Sequence, residues 1–247
     1  MTRVFLLVLD GLGVGAAPDA ERFGDVGAHT LDHLVAAAGG LDCPRLEALG
    51  LGRIPGVSNV RAVAHPQGSY GRLAEVSMGK DTPTGHWEMM GCCLDWAFEL
   101  FPDGFPKEVL EAWCERCGLP GWLANHTASG TEVIEDYGAE HLATGKPILY
   151  TSGDSVFQVA AHAEAFGLER LLSICAEARS LLDPLRVGRV IARPFIGQPG
   201  SFQRTYDRRD FGVEPPSETV LDRLVKAGIP VWGVGKIHDL FLSLIHI

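Results

Sequence analysis

Apolar residues occupy six consecutive positions near the start of the chain, 4–9, with polar residues on either side. A short, β-rich run of this kind is typical of a buried parallel strand. A glycine-rich loop follows at 10–15. Thr30 then fits a helix N-cap, apolar residues recur at helical spacing over 31–38, and Gly39 provides a stop. A strand, a loop and a helix in this order predict the opening of an α/β domain.

A second pattern of the same kind lies near the other end of the chain. Ser217 is placed to cap a helix whose apolar positions run from 220 to 225, and Gly228 is placed to end it. The apolar segment 229–234 then predicts another strand. We therefore expect this region to belong to the same α/β core.

The middle of the chain carries secondary-structure signals of its own. We predict helices over 106–117 and 169–182 and strands over 147–151 and 188–192. These elements indicate a separate unit inserted into the core. The predicted organisation is a core formed by 1–97 and 214–241, with a cap domain over 98–213.

The last residues of the chain, 242–247, read LSLIHI and continue no pattern before them. They are the translation of the codons CTG TCT CTT ATA CAC ATC, the transposon-end adapter of shotgun sequencing libraries. We therefore interpret 242–247 as a library scar. A genuine terminal strand is the alternative.

Charge and cysteine content limit the classes of function. The chain carries 31 acidic and 21 basic residues, a net charge of −10, whereas nonspecific nucleic-acid binding needs a basic face. Its six cysteines follow no disulfide framework, and no apolar run reaches the length of a membrane span, about 20 residues. We expect a cytoplasmic protein that binds neither nucleic acid nor membrane, and its oligomeric state is left open.

Cys114 and Cys117 form a C-x-x-C pair, a spacing found at zinc and redox sites. No second pair follows to complete a tetrahedral site, and Val109, Trp113 and Cys117 fall on one helical face. We predict that these cysteines pack inside a helix interface.

Asp10 directly follows the first predicted strand. Ligands of open α/β sheets bind outside the carboxyl ends of the strands, and a carboxylate in that place suits a hard cation. An aspartate that only caps a turn is the alternative, and the local sequence does not decide between the two.

The most polar stretch of the chain, 77–88, contains Thr82 followed by Pro83, which fits an N-cap and a first helical position. The N-terminus of a helix favours anions, and a metal there can deprotonate a threonine hydroxyl and hold phosphoryl oxygens. A capping threonine with a structural role is the alternative. We interpret His86 as a residue that supports Thr82 from nearby.

Arginines are concentrated in one part of this acidic chain, at positions 189, 193, 204, 208 and 209. Arginine binds phosphate oxygens through paired hydrogen bonds, so the concentration suits a phosphate-binding surface. A solvated loop is the alternative.

Sequence blocks along the chain resemble those of the phosphopentomutase family, which belongs to the alkaline phosphatase superfamily. The blocks occur in family order and cover nearly all of 3–241: VFLLVLDGLGVGAAPDAERFGDVGAHTLDH, GKDTPTGHWEMMG, FPDGFPKEVL, ASGTEVIEDYG, the segment from Tyr150 to Glu164, GRVIARPFIGQPGSFQRT and GVGKIHDLF. The resemblance implies an α/β core of the alkaline phosphatase type with an inserted α/β cap. It also implies the interconversion of α-D-ribose 1-phosphate, or its 2-deoxy analogue, and the corresponding 5-phosphate.

The resemblance further implies roles for individual residues. Asp10 matches a metal ligand, and Thr82 matches the threonine that carries the phosphoryl group and bridges two Mn²⁺ ions. The positions that match substrate-facing residues are Asp154, Arg189, Ile191, Arg204 and Lys236. Phosphorylated Thr82 would donate to the sugar phosphate and then take back the other phosphate of the bisphosphate intermediate.

The remaining metal ligands of the family, an Asp-His pair among them, have no counterpart in this sequence. We therefore expect an incomplete core and an inactive fragment. Two alternatives stay open: another phosphomutase or phosphatase of the same superfamily, and a non-catalytic fragment that binds sugar phosphates through the cap. Thr82 and the block 188–205 argue against the first, and the interpretation of 242–247 as a scar argues against the second.

Overall fold

A computed structural model describes residues 3–9 and 11–241, apart from the side chain of His238. The chain divides into two compact units, Met1–Glu75 and Val76–Ile247. Each unit contains a cluster of buried apolar side chains of its own. None of the helices within the described ranges is long and apolar enough to cross a membrane.

The first unit is built from short helices and loops. Its α-helices are α1 (Thr30–Ala38) and α2 (Pro44–Leu49), and single 3₁₀ turns span Ala20–Phe23 and Leu51–Arg53. Leu31, Val35 and Val60 form its buried cluster. The carboxylate of Asp32 accepts hydrogen bonds from Ser58 and Asn59, and the bond from the Ser58 side chain is the main cause of a lowered Asp32 pKa. Asp32 therefore joins α1 to a distant loop.

The second unit contains a mixed sheet of six strands. They are β1 (Leu123–Thr127), β2 (Ile148–Thr151), β3 (Val156–His162), β4 (Arg189–Ile196), β5 (Gln203–Arg204) and β6 (Arg209–Gly212). The strands follow the order β1-β2-β3-β4, and β5 and β6 pair with opposite ends of β4. Pairing is parallel for β1 with β2 and for β3 with β4, and antiparallel elsewhere.

Helices cover both faces of this sheet. The helices of the second unit are α3 (Thr82–Met89), α4 (Lys107–Cys117), α5 (Glu132–Thr144), α6 (Leu168–Leu182), α7 (Val220–Lys226) and α8 (Ile237–Leu240), and a π-helical turn spans Ala163–Gly167. Side chains of α4 and α6 share one buried cluster with Val190 and Ala192 of β4. Side chains of α5 share a cluster on the other face with Phe195. Because side chains alternate between the two faces of β4, this strand contributes residues to two separate cores.

The elements predicted for the middle of the chain are confirmed. Helices α4 and α6 and strands β2 and β4 begin within one residue of the predicted starts, and β4 continues beyond the prediction to Ile196. The α/β class is confirmed as well. Cys114 is buried beside Trp113 in the core on the α4 face, which confirms the packing predicted for the C-x-x-C segment.

The strands predicted at 4–9 and 229–234 are wrong for this structure. Both segments lack regular secondary structure, and Val4, Leu7 and Trp232 are 90%, 82% and 79% exposed. A strand needs a hydrogen-bonded neighbour, and neither segment pairs with another segment in the described part of the chain. The segment predicted as a library scar, 242–247, lies outside the described residues.

The predicted helix caps are displaced from the observed ones. The N-cap of α1 is His29, whose Nδ1 accepts from the Asp32 amide at 3.2 Å, and Thr30 is already in the first turn. The N-cap of α7 is Thr219, which forms a reciprocal capping box with Asp222. Ser217 instead donates to the Cys92 sulfur at 3.1 Å. In both helices a neighbouring side chain with suitable backbone geometry takes the capping role.

We expect Leu7→Ala to change the free energy of unfolding of this chain by no more than about 0.5 kcal/mol, because an exposed side chain loses no buried contacts. The matched substitution Leu149→Ala, at a fully buried position of β2, should cost about 2–5 kcal/mol. Urea denaturation of both variants measures the difference. A loss of more than about 2 kcal/mol for Leu7→Ala would mean that 4–9 is a buried strand after all.

Candidate active site

The start of helix α3 leaves Thr82 without a capping role. The N-cap is Asp81, whose Oδ1 accepts from the Thr84 amide at 2.9 Å and whose Oδ2 accepts from Thr84 Oγ1 at 2.8 Å. The prediction of Thr82 as the cap is therefore wrong by one residue. Asp81 has the extended backbone that a cap requires, φ −149° and ψ 163°, while Thr82 already belongs to the first turn. Because Asp81 is the cap, capping does not explain why a threonine occupies position 82.

The Thr82 hydroxyl makes no hydrogen bond to any of the residues that the structure describes. Thr82 is half-buried at the positive end of α3, where negative charge is stabilised. Buried His86 contacts the Thr82 carbonyl through Nδ1 at 2.8 Å, so a proton on Nδ1 donates to that oxygen. His86 therefore holds the backbone of Thr82 and leaves its hydroxyl available.

Helix α3 is joined to helix α8, which begins beside Lys236. The indole Nε1 of buried Trp87 donates to the Leu240 carbonyl at 2.7 Å. Helix α8 in turn lies against β6, because a Cβ atom on Gly212 would come within 2.8 Å of the Asp239 carbonyl oxygen. Lys236 is exposed at the N-cap of α8. The helices that carry Thr82 and Lys236 are therefore packed together at one edge of the sheet.

Arg189, at the start of β4, is the centre of a charged cluster. Its guanidinium lies 3.5 Å from Asp154 Oδ2 and 3.5 Å from Asp210 Oδ2. The Arg189 and Asp210 side chains are 18% and 12% exposed, whereas Asp154 is 60% exposed. The cluster thus has a partly buried base, Arg189 with Asp210, and an exposed carboxylate, Asp154, at its rim.

Electrostatics link this cluster to the start of α3. Burial raises the pKa of Asp81, although its hydrogen bonds from Thr84 and the charge of Arg189 oppose that rise. The carboxylate of Asp154 raises the Asp81 pKa further. The charges of Arg189 and Asp154 therefore both affect the pKa of Asp81. The start of α3, which carries Thr82, is near enough to the Arg189 cluster for this interaction.

The residues matched to substrate positions do not all lie in one contact group. Arg189 and Asp154 are brought together, and Arg204 lies farther along the sheet in β5. Ile191 shares the face of Arg189 but is 2% exposed, so its side chain can only form the floor of a site. Asp10, the predicted metal ligand, lies outside the described residues.

The arginine-rich region is divided between two faces of the sheet. Arg189 and Arg193 lie on the α5 face of β4 together with Phe195, and Arg204 is paired directly opposite Phe195. Arg209 is paired with Ala192 on the other face and lies over the Phe211 ring at 5.4 Å. The five arginines that are close in sequence are therefore not a single surface.

Sequence reasoning missed two residues of the site, Asp81 and Asp210. Asp81 was hidden because a threonine before proline fits an N-cap equally well. Asp210 was missed because its position opposite Ile191 depends on the register between β4 and β6, which the sequence does not show.

No group of three or more His, Cys, Asp or Glu side chains that could hold a metal occurs among residues 3–9 and 11–241. Taken alone, these residues do not fit a two-metal centre, which needs several oxygen or nitrogen ligands for each ion.

We expect Asp81→Ala to lower the free energy of unfolding by about 0.5–2 kcal/mol through loss of the cap.

Asp81→Asn retains the acceptor for the Thr84 amide and removes the buried charge. Because the folded-state pKa of Asp81 is raised, its contribution is most favourable at acid pH and is lost as the pH rises through that pKa. The stability of the wild type relative to Asp81→Asn should therefore increase from neutral pH towards about pH 4. Urea titrations across this range measure the slope, and a slope of opposite sign contradicts the assignment.

The sequence of this chain is similar to those of curated proteins from several bacteria. Phosphopentomutase from Anaeromyxobacter dehalogenans (strain 2CP-1 / ATCC BAA-258) is 54% identical over 239 residues, 97% of this chain and 62% of that protein. The phosphopentomutases of Desulfitobacterium hafniense (strain Y51) and Symbiobacterium thermophilum are 51% and 53% identical over 98% and 97% of this chain and 62% and 61% of theirs. The chain thus spans about three fifths of the length of these curated relatives. The model of the Metalloenzyme superfamily matches residues 2–166, and the chain belongs to that superfamily.

Proposed function

We propose that this chain is part of a phosphopentomutase, an isomerase that interconverts α-D-ribose 1-phosphate, or 2-deoxyribose 1-phosphate, and the 5-phosphate. The similarity to proteins named phosphopentomutase supports this proposal. The structural observation that carries it is the Thr82 hydroxyl, which Asp81 releases from capping at the positive end of α3.

The proposed reaction is an exchange of phosphoryl groups through Thr82. The P–Oγ bond of phosphothreonine breaks as a bond forms from phosphorus to the free C1 or C5 oxygen of the sugar phosphate. The resulting pentose bisphosphate turns around, and its other phosphate returns to Thr82 Oγ. One sugar hydroxyl loses its proton when it is phosphorylated, and the other sugar oxygen gains a proton when its phosphoryl group leaves. The cycle therefore consumes no phosphoryl donor. The pentose bisphosphate can also phosphorylate a Thr82 that carries no phosphoryl group.

The α5 face of the sheet is the proposed binding surface for the sugar phosphate. We assign Arg189, Arg204 and Lys236 to the phosphate and Asp154 to the sugar hydroxyls, with Ile191 beneath them. Guanidinium groups match the fork of phosphate oxygens, and carboxylates accept from hydroxyls. The exposed carboxylate of Asp154 beside Arg189 supports this assignment. We also propose that 98–213 forms the cap, since β1 to β6 all lie within that range.

The superfamily implies a divalent metal, and we propose Mn²⁺. Asp10 and Thr82 are the ligands that this chain would contribute, and the others would come from outside the described residues. The metal would neutralise charge on the phosphoryl group during transfer. The free cysteines, which are typical of a reducing compartment, support a cytoplasmic location.

We expect Thr82→Val, tested in a protein that carries the full length of the relatives, to abolish conversion of ribose 1-phosphate. Valine has nearly the shape of threonine but lacks the oxygen that accepts the phosphoryl group. Thr82→Ser keeps the oxygen and should retain turnover, and intact-protein mass spectrometry should detect a phosphoryl group on the wild type and Thr82→Ser only. Turnover by Thr82→Val within about tenfold of the wild type, a barrier change of only about 1.4 kcal/mol, would refute the role of Thr82.

The same experiment separates the alternatives. A phosphatase of the superfamily would release inorganic phosphate from the pentose phosphate instead of isomerising it. A non-catalytic fragment that binds through the cap would bind ribose 5-phosphate equally with threonine or valine at position 82 and would never become phosphorylated.

A further inference from the structure

Two buried histidines lie where the last turn of α5 meets the end of β3. His141 of α5 and His162 of β3 are 1% and 6% exposed. The His162 amide donates to His141 Nε2 at 2.9 Å, so that nitrogen carries no proton. His141 Nδ1 lies 2.7 Å from the Lys146 carbonyl oxygen and therefore donates to it. One ring nitrogen accepts and the other donates, so the His141 ring is neutral.

The His162 ring is fixed in the opposite tautomer. Its Nδ1 accepts from the Ala165 amide at 3.2 Å, within the π-helical turn that follows β3. Its Nε2 lies 3.1 Å from the Gly197 carbonyl oxygen, which can accept but not donate, so Nε2 carries the proton. Burial lowers the pKa of His141, and the charge of His162 lowers it further, which favours neutral rings. His162 therefore joins two separate segments, one through each ring nitrogen.

Gly197 begins the tight turn 197–202 between β4 and β5. Its φ of +104° lies in the left-handed region, and a Cβ atom there would come within 2.6 Å of the Ser201 carbonyl oxygen. The Ser201 amide closes the turn by donating to the Gln198 carbonyl at 2.8 Å. Because the two ends of the turn are in such close contact, a hydrogen bond to the Gly197 carbonyl restrains the whole turn.

The turn determines where Arg204 lies. Phe202, at the end of the turn, packs directly on α5, because a Cβ atom on Gly138 would overlap its ring. Arg204 follows two residues later and is paired with Phe195 of β4. Strand β5 is two residues long, and so short a pairing holds a segment weakly without further contacts. The position of Arg204 therefore depends on the turn before it.

We propose that His162 is a positioning residue for Arg204. Through the Gly197 carbonyl it holds the turn 197–202 in the form that presents Arg204 on the α5 face of the sheet, and His141 holds the backbone of His162 in turn. The consequence for substrate binding rests on the proposed function, in which Arg204 contacts the phosphate of a pentose phosphate.

Two substitutions at one position separate the contacts of His162. His162→Asn places an amide oxygen where Nδ1 lies, so it keeps the acceptor for the Ala165 amide and loses the donor to Gly197. His162→Gln has a longer side chain whose amide nitrogen reaches the position of Nε2, so it keeps that donor. Both variants lose the imidazole ring and its contact with Phe195. A difference between them therefore reports the bond to Gly197.

Hydrogen exchange measured by mass spectrometry on this chain tests the restraint on the turn. We expect His162→Asn to speed amide exchange over 198–205 about two- to tenfold, the range for loss of one hydrogen bond, and His162→Gln to exchange like the wild type. Gly197→Ala, which strains the same turn and leaves both histidines in place, should act like His162→Asn. Exchange in α4 is the control for folding and should not change. Equal exchange of the turn in His162→Asn and His162→Gln would overturn the proposal.

Calorimetric titration with ribose 5-phosphate tests the effect on binding. The protein used has the full length of the relatives and carries Thr82→Val, so that it does not convert the ligand. We expect added His162→Asn to weaken binding about two- to tenfold and His162→Gln to have no effect. With Arg204→Gln also present, His162→Asn should have no further effect, because a positioning residue acts through the side chain that it positions.

A full effect of His162→Asn in the presence of Arg204→Gln would overturn the proposal, since it would show that His162 does not act through Arg204. An absence of ribose 5-phosphate binding by the Thr82→Val parent would refute the proposed function instead. The exchange rates of the turn would still decide whether His162 holds it, so the two failures are distinguishable.

Discussion

Strand β4 buries apolar side chains on one face and carries arginines on the other, and the organisation of the second unit follows from this division. Val190 and Ala192 face the apolar core under α4 and α6, while Arg189 and Arg193 face the other side. Two neighbouring strands, buried β3 and the more exposed β6, hold the strand in one register. A shift by one residue would place guanidinium groups in the apolar core. Burial on one face therefore fixes the positions of the charges on the other.

At the start of α3, neighbouring residues likewise have separate structural roles. Asp81 satisfies the free amide of the first turn, and His86 and Trp87 fix the helix through its backbone and through α8. The Thr82 hydroxyl consequently has no capping role. A side chain in such a position is available for chemistry, and its helix end already favours the negative charge of a phosphoryl group.

Charge distribution in the second unit differs from that of the whole chain. The protein is acidic overall, yet Arg189, Arg193 and Arg204 lie on one face of the sheet, and among the described residues only Arg189 of these three has a carboxylate within ion-pair distance. Asp210 is shared between Arg189 and Arg208. Under the proposed function, the phosphate of the substrate would be the anionic partner of Arg204.

Much of this protein could be predicted from its sequence. Apolar periodicity was sufficient for α4, α6, β2 and β4, because these elements bury a continuous face and begin or end at clear signals. Periodicity failed for 4–9 and 229–234, since an apolar run becomes a strand only when another strand supplies hydrogen bonds, which local sequence does not reveal. The choice of Asp81 over Thr82 as a cap depended on backbone angles, and the grouping of Arg189 with Asp154 and Asp210 depended on strand order and register. Those contacts join residues far apart in the chain, so only the tertiary structure decides them.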